Sequence, residues 1–152
     1  MDIVKQLVKL YYECEYETHG MLTELEAERY YSKMLANNRI QVITEGGNVM
    51  GFLESWRLNM EQLGRVVCWS DFSALKEDVT KGEVAYVSDI WVRGGKRGNG
   101  IIKTLIKLFW ESNKDASYFI SKRVKRDGKV KYIRVYDKIS GYKLNKGACN
   151  GK

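Results

Sequence analysis

The residues with the clearest chemical meaning are Arg93-Gly94-Gly95-Lys96-Arg97-Gly98-Asn99-Gly100, which follow the apolar stretch ending Ile90-Trp91-Val92 and lead straight into an amphipathic one. A strand that ends in a glycine-rich, basic turn and opens a helix is a device for holding phosphate. Glycines let the backbone approach the oxygens, the first-turn amides of the helix have no internal acceptor, and the helix dipole favours an anion there. Lys96 and Arg97 add formal positive charge. Two other nucleotide-binding turns fail on spacing. The dinucleotide fingerprint G-x-G-x-x-G fits Gly98 and Gly100 but meets Lys103 where its third glycine belongs, and the phosphate loop G-x-x-x-x-G-K-[ST] fails over Gly95 to Lys103.

The elements that must position this turn are legible as patterns. Val84 to Val92 is rich in β-branched and aromatic residues and too apolar for a sheet edge, so it reads as a central strand. After the turn, Ile101, Leu105, Leu108 and Phe109 form one side of a helix, with Lys103, Lys107 and Glu111 opposite. Upstream, Ile3, Leu7, Tyr11 and Cys14 recur at helical spacing over residues 2–17. Thr23 and Glu26 form a capping-box pattern for a second helix that ends near Asn37-Asn38. From Arg39 the texture turns to β, with a hairpin about Glu45-Gly46-Gly47-Asn48. Val66 to Trp69 reads as extended and residues 71–78 as a short helical turn. Tyr118-Phe119-Ile120 reads as a strand. Beyond it two readings stay open: Asp127-Gly128 is a hairpin signal, while Tyr132, Ile133, Tyr136 and Ile139 fit a helix stopped at Gly141. Residues 146–152 read as a disordered tail after a single domain over residues 1–145.

The 152 residues suit one domain with a real core. No apolar run approaches the roughly 18 to 20 residues of a membrane helix, and the N-terminal segment lacks a signal peptide's apolar centre, which leads to the expectation of a soluble, cytoplasmic protein with no membrane partner. Cys14, Cys68 and Cys149 are odd in number and never paired as C-x-x-C, so neither a disulfide framework nor a zinc knuckle is expected, and no metal. Proline is absent, leaving glycine and asparagine as the chain's punctuation. The net charge of +7 hides an asymmetry: residues 1–92 carry 9 Lys/Arg against 15 Asp/Glu, net −6, and residues 93–152 carry 17 against 4, net +13. A polyanion settles on the second half and a cationic partner on the first.

The run Arg97-Gly98-Asn99-Gly100-Ile101-Ile102 resembles the acyl-CoA-binding motif of the GNAT superfamily of N-acetyltransferases, Q/R-x-x-G-x-G/A after a strand, with Ile102 in place of the final small residue. The two leading helices, the hairpin through Val49 to Leu53, and Arg134 to Tyr142, similar to the family's late helix-to-strand signature, stand in family order. The resemblance implies an α/β (α+β) fold: a mixed, mostly antiparallel sheet of about six strands flanked by helices, with a splayed strand pair at the acyl-CoA site. It implies direct transfer of an acyl group from acetyl-CoA to a primary amine. The backbone of Ile90, Trp91 and Val92 would pair with the pantetheine arm. Amides from Arg97 through Gly98, Asn99, Gly100 and Ile101 to Ile102, with Lys96 beside them, would hold the pyrophosphate. Tyr136 matches the family's acid on the late helix, and a phenol there would reprotonate the leaving thiolate. A neutral amine is needed for attack, so a carboxylate must take its proton; Asp89 is the first choice and Glu54 the second. His19 lies in a loop that borders the acceptor site in this family.

The acidic first half agrees with a cationic amine acceptor, such as a polyamine, an aminoglycoside-like amine or a lysine side chain. A rival reading is a GNAT-like module without acyl transfer, structural or binding nucleic acid, because the basic stretch from Lys122 to Lys131 is interleaved with Tyr118, Phe119 and Tyr132.

Overall fold

The computed structural model describes residues 2–13, 22–69, 82–94, 100–124, 130–137 and 143–146. In chain order these form α1 (Ile3–Glu13), α2 (Glu24–Ala36), β1 (Ile40–Glu45), β2 (Asn48–Leu58), α3 (Met60–Trp69), β3 (Val84–Val92), α4 (Ile101–Ser112), β4 (Tyr118–Val124), β5 (Val130–Asp137) and β6 (Lys143–Lys146). The strands make one sheet in the order β1-β2-β3-β4-β5-β6. β3 and β4 run parallel, while β4 with β5 and β5 with β6 run antiparallel. This is the mixed, mostly antiparallel architecture with flanking helices that the sequence leads one to expect. Chain contacts divide it into two units, residues 1–53 with 90–112 and residues 54–89 with 113–152.

In the first unit the local signals act as read. Thr23 caps α2, its hydroxyl accepting from the Glu26 amide at 3.2 Å and donating to the Glu26 carboxylate at 3.0 Å. Beyond α2, Asn38 takes a positive φ of 56°, a conformation asparagine tolerates. Gly46 and Gly47 have φ of 58° and 80°, the pair of positive values that a two-residue type I′ hairpin turn requires. Helix α1 holds that turn directly: the buried Gln6 amide donates to Gly47 O and accepts from Val49 N, both at 2.7 Å. Leu7, Leu10, Ala27, Tyr31, Met34, Val49, Leu105 and Phe109 are among this unit's buried residues.

In the second unit Leu58, Leu63, Val66, Val84, Tyr86 and Ile120 form the core, with Trp56 and Tyr118 packed against it. Burial pushes the Tyr86 phenol up to about 12. Arg57 is buried, its Nε donating to Gly82 O at 2.7 Å and its guanidinium to the exposed Asp115 carboxylate at 2.8 and 3.3 Å.

Two sequence expectations are corrected here. Residues 66–69 are not extended but form the end of α3. The cause is a second capping box: Asn59 Oδ1 accepts from Gln62 N at 2.8 Å, and Gln62 Oε1 accepts from Asn59 N at 2.9 Å. Leu63 and Val66, three apart, then both reach the core. The alternatives left open after Tyr118 resolve to a hairpin, because β5 pairs with β4 from Tyr118↔Asp137 to Val124↔Val130. Residue 146 ends β6 rather than starting a tail. The proposed helical turn at 71–78, the end of α1 beyond Glu13, and residues 147–152 lie outside the described residues.

Candidate functional site

The end of β3 is pinned to β2. Arg93 N donates to Met50 O at 2.9 Å, and the Arg93 guanidinium donates through Nε and Nη2 to Val49 O at 3.2 and 2.8 Å. The same guanidinium lies 5.5 Å from the Trp91 ring centre, and Trp91 stacks on Phe52 at 5.9 Å with the rings 19° apart. Val92 is buried; Ile90 and Trp91 are half-buried. Arg93 and Phe52 therefore fix where the chain leaves the sheet.

Gly51 sets how closely α4 comes to that exit. A Cβ there would stand 2.9 Å from Ile101 Cγ2 and 3.0 Å from Trp91 O. Only glycine lets the first turn of α4 and the β3 backbone approach β2 together. Gly100 begins the helix with φ of 74°, and a Cβ at that point would meet nothing within 4 Å. Its carbonyl accepts from Thr104 N at 3.0 Å and Thr104 Oγ1 at 3.1 Å. The amides of Ile101, Ile102 and Lys103 precede that first helical bond, so no helix carbonyl serves them. The first turn of α4 carries no acidic residue, whereas that of α2 carries Glu24 and Glu26. The N-terminus of α4 thus has the dipole and open amides that suit an anion. Ile101 is buried and Ile102 is exposed, so the residue replacing the motif's last small position points away from the core. Lys96, Arg97, Gly98 and Asn99 lie outside the described residues.

The candidate proton-transfer groups fall in the second unit. Ser88 on β3 accepts from Trp56 Nε1 at 3.1 Å, and its hydroxyl lies 3.2 Å from Glu54 O and 3.3 Å from Glu54 Oε2. Asp89 is the next residue on β3, half-buried like Glu54. The parallel register of β3 with β4 covers Val84↔Tyr118 to Val87↔Ser121 and ends there, one residue before Ser88. Tyr136 is not on a late helix: it lies on β5, paired in register with Phe119 and with Lys143. The run from Val130 to Asp137 is dense in β-branched and aromatic residues, and strand pairing on both sides overrides its helical spacing. The acid role rested on that helix and does not carry over to a strand position. His19 lies outside the described residues. Of the basic stretch, Lys122 and Arg123 lie on β4 and Lys131 on β5. Ser88, Trp56 and Gly51 were not singled out from the sequence; the glycine inside an apolar strand run was the one signal available for them.

No protein-family model matches the sequence, and no curated protein matches it. Solved structures do. The loading GNATL domain of CurA from Lyngbya majuscula superposes with a TM-score of 0.61 at 14% identity, over 82% of this chain and 61% of that one. The chain has the GNAT fold. The GphF GNAT-like decarboxylase in complex with isobutyryl-CoA gives a TM-score of 0.60 at 12% identity, over 81% of this chain and 63% of that one. An N-acetyltransferase from Staphylococcus aureus Mu50 gives 0.54 at 17% identity, over 82% and 69%. This GNAT-fold chain therefore spans less than two thirds of the length of the first two, and at such identities the likeness is one of fold. Among the described residues of the GNAT-fold chain, no helix is long and apolar enough to cross a membrane, and no group of His, Cys, Asp or Glu is gathered around a metal position.

Proposed function

We propose that this protein binds an acyl-CoA, with acetyl-CoA as first candidate, and transfers its acyl group to a primary amine. The observation that carries the reading is the open N-terminus of α4, opened by Gly100 at positive φ and preceded in sequence by the basic, glycine-rich stretch that follows β3, within a GNAT fold. In this reading the backbone of Ile90, Trp91 and Val92 meets the pantetheine arm. The amides running from Arg97 to Ile102, with the charges of Lys96 and Arg97, hold the pyrophosphate. The bound isobutyryl-CoA of a protein with the same fold supports an acyl-CoA ligand, and the N-acetyltransferase from Staphylococcus aureus supports transfer to nitrogen.

Glu54 is our choice for the group that takes the amine proton, because a hydroxyl from the neighbouring strand already holds its carboxylate; Asp89 is the second candidate. The neutral amine forms the N–C bond at the thioester carbonyl, the C–S bond breaks, and its electron pair leaves with sulfur. A thiol is far more acidic than an alcohol or an amine, so a thiolate is a tolerable leaving group near neutral pH without a dedicated acid, and the mechanism does not need Tyr136. The net charge of −6 over residues 1–92 favours a cationic acceptor.

Calorimetric titration with acetyl-CoA at moderate salt, with CoA and ATP as controls, tests the reading. Saturable binding that prefers acetyl-CoA supports it, and thiol release on adding cationic amines then identifies the acceptor class. Absence of binding refutes it and turns attention to the basic stretch from Lys122 to Lys131, where an affinity for DNA that survives moderate salt would support a nucleic-acid-binding module instead.

A further inference from the structure

Glu54 and Trp56 are two residues apart on β2 and so share a face of the sheet, while the intervening Ser55 is buried on the other. Ser88 reaches both from β3. An indole N–H can only donate, so the 3.1 Å contact from Trp56 Nε1 occupies an acceptor position of the Ser88 oxygen. The single hydroxyl proton is thereby turned away from Trp56, and among the described residues the acceptors in range are on Glu54: the backbone oxygen at 3.2 Å and carboxylate Oε2 at 3.3 Å. Trp56 is itself packed against the core built from Leu58, Leu63, Val66, Val84, Tyr86 and Ile120. Its indole therefore transmits a fixed position from that core to a polar group.

We propose that Ser88 is a positioning residue that holds the Glu54 carboxylate, through a hydroxyl oriented by Trp56, as the acceptor of the amine proton. The inference rests on the acyltransferase reading above. A hydroxyl that donates to an ionised carboxylate makes a stronger bond than one that donates to the neutral acid. With the carboxyl protonated, the Ser88 proton turns to the Glu54 backbone oxygen instead. Ser88 thus favours the ionised form, which is the form a base must have to act. In the step itself, the amine nitrogen bonds to the acyl carbon, the C–S pair departs with the CoA sulfur, and the amine proton ends on Glu54, which returns it to water before the next turnover. Ser88 touches none of the reacting atoms.

The test compares wild type with Ser88→Ala, Ser88→Thr and Glu54→Gln. Three quantities are measured: acetyl-CoA affinity, the pH profile of kcat/KM for an amine, and the titration of the Glu54 carboxyl carbon by NMR. Ser88→Ala is expected to lower kcat about tenfold, move the acid limb and the Glu54 titration to higher pH, and leave acetyl-CoA affinity within about twofold. Ser88→Thr, which keeps the hydroxyl, is expected to recover both limb and rate, and Glu54→Gln to abolish the limb. Trp56→Phe serves as a second variant and is expected to move the limb the same way by less. A wild type that acetylates amines but whose limb and Glu54 titration ignore Ser88→Ala overturns the positioning role and leaves the acyltransferase reading standing. A wild type with no acyl transfer to any amine overturns both, and an NMR shift in Ser88→Ala would then report only a structural hydrogen bond.

Discussion

Replacing Gly51 with alanine probes the seat of α4 with one added methyl group. The new Cβ would lie 2.9 Å from Ile101 Cγ2, about 0.6 Å inside the 3.5 Å lower limit of an ordinary carbon contact, and 3.0 Å from Trp91 O. The first neighbour is a side-chain methyl that can turn; the second is backbone in a strand and cannot. Overpacking of this kind destabilises by about 1 to 3 kcal/mol, against which loss of glycine's unfolded-state freedom returns about 0.5 to 1. With both ranges at their middle, the net expectation is a loss of about 1.2 kcal/mol, or a fall in Tm of about 2 to 5 °C for a chain of this size. Ile101→Leu removes the branched methyl at the tight contact and by itself should cost less than about 1.5 kcal/mol. Combined with Gly51→Ala it should be better than additive by at least about 0.5 kcal/mol. Because the Trp91 carbonyl remains, the recovery should be partial. Urea denaturation of the four proteins closes the cycle, and acetyl-CoA titration of each shows whether the first turn of α4 has moved with the packing. A Gly51→Ala protein as stable as wild type, or strict additivity, would refute the seating of α4 against that glycine.

Gly82→Ala should be far more damaging, because a Cβ there meets the Leu58 backbone C and O at 2.6 Å and N at 2.8 Å, with no flexible atom to yield; a loss of about 3 kcal/mol or more is expected, and a soluble variant of normal urea midpoint would contradict it. Gln6→Leu removes both 2.7 Å bonds that hold the hairpin turn and should cost about 2 kcal/mol, with faster hydrogen exchange at the Val49 amide as the local sign. For Tyr86, burial pushes the folded phenol up to about 12 from the ordinary tyrosine value of 10.0, so its stabilisation is complete below pH 10, declines between pH 10 and 12, and is gone above. Over that window wild type should lose about 2 to 3 kcal/mol relative to Tyr86→Phe, measured by urea unfolding of both proteins at pH 9 and pH 11.5; parallel losses would refute the assignment.

Much of this fold was legible because its strongest signals are local. The Thr23 and Glu26 capping box, the Gly46-Gly47 turn and the 3.6-residue spacing from Ile101 to Phe109 depend on neighbours in the chain, and each acts as read. Val66 to Trp69 misled because β-branched and aromatic side chains serve a buried helix face as readily as a strand; Asn59 and Gln62 decide the matter seven residues earlier. Tyr136 misled for the opposite reason. The spacing of Tyr132, Ile133 and Tyr136 fits a helix, but β4 and β6 offer strand partners on both sides, which no local window contains. At the site, the start of α4 at Gly100 and Ile101 could be read from its residues, whereas the bond between Ser88 and Glu54 joins positions 34 residues apart and depends on strand pairing.

The route of the chain through its two units has a consequence for how the protein is made. The polypeptide changes unit after residues 53, 89 and 112, so neither unit is a continuous stretch. On a ribosome that synthesises from the N-terminus, the first unit lacks the end of β3 and all of α4 until residue 112 has emerged, and by then the β2–α3–β3 portion of the second is waiting for β4. Vectorial synthesis therefore finishes the first unit only once residue 112 has emerged, and the second only after β4 to β6. A protease that cuts after residue 89 divides both units, whereas a cut after residue 53 keeps both stretches of the second unit on one fragment and a cut after residue 112 keeps both stretches of the first.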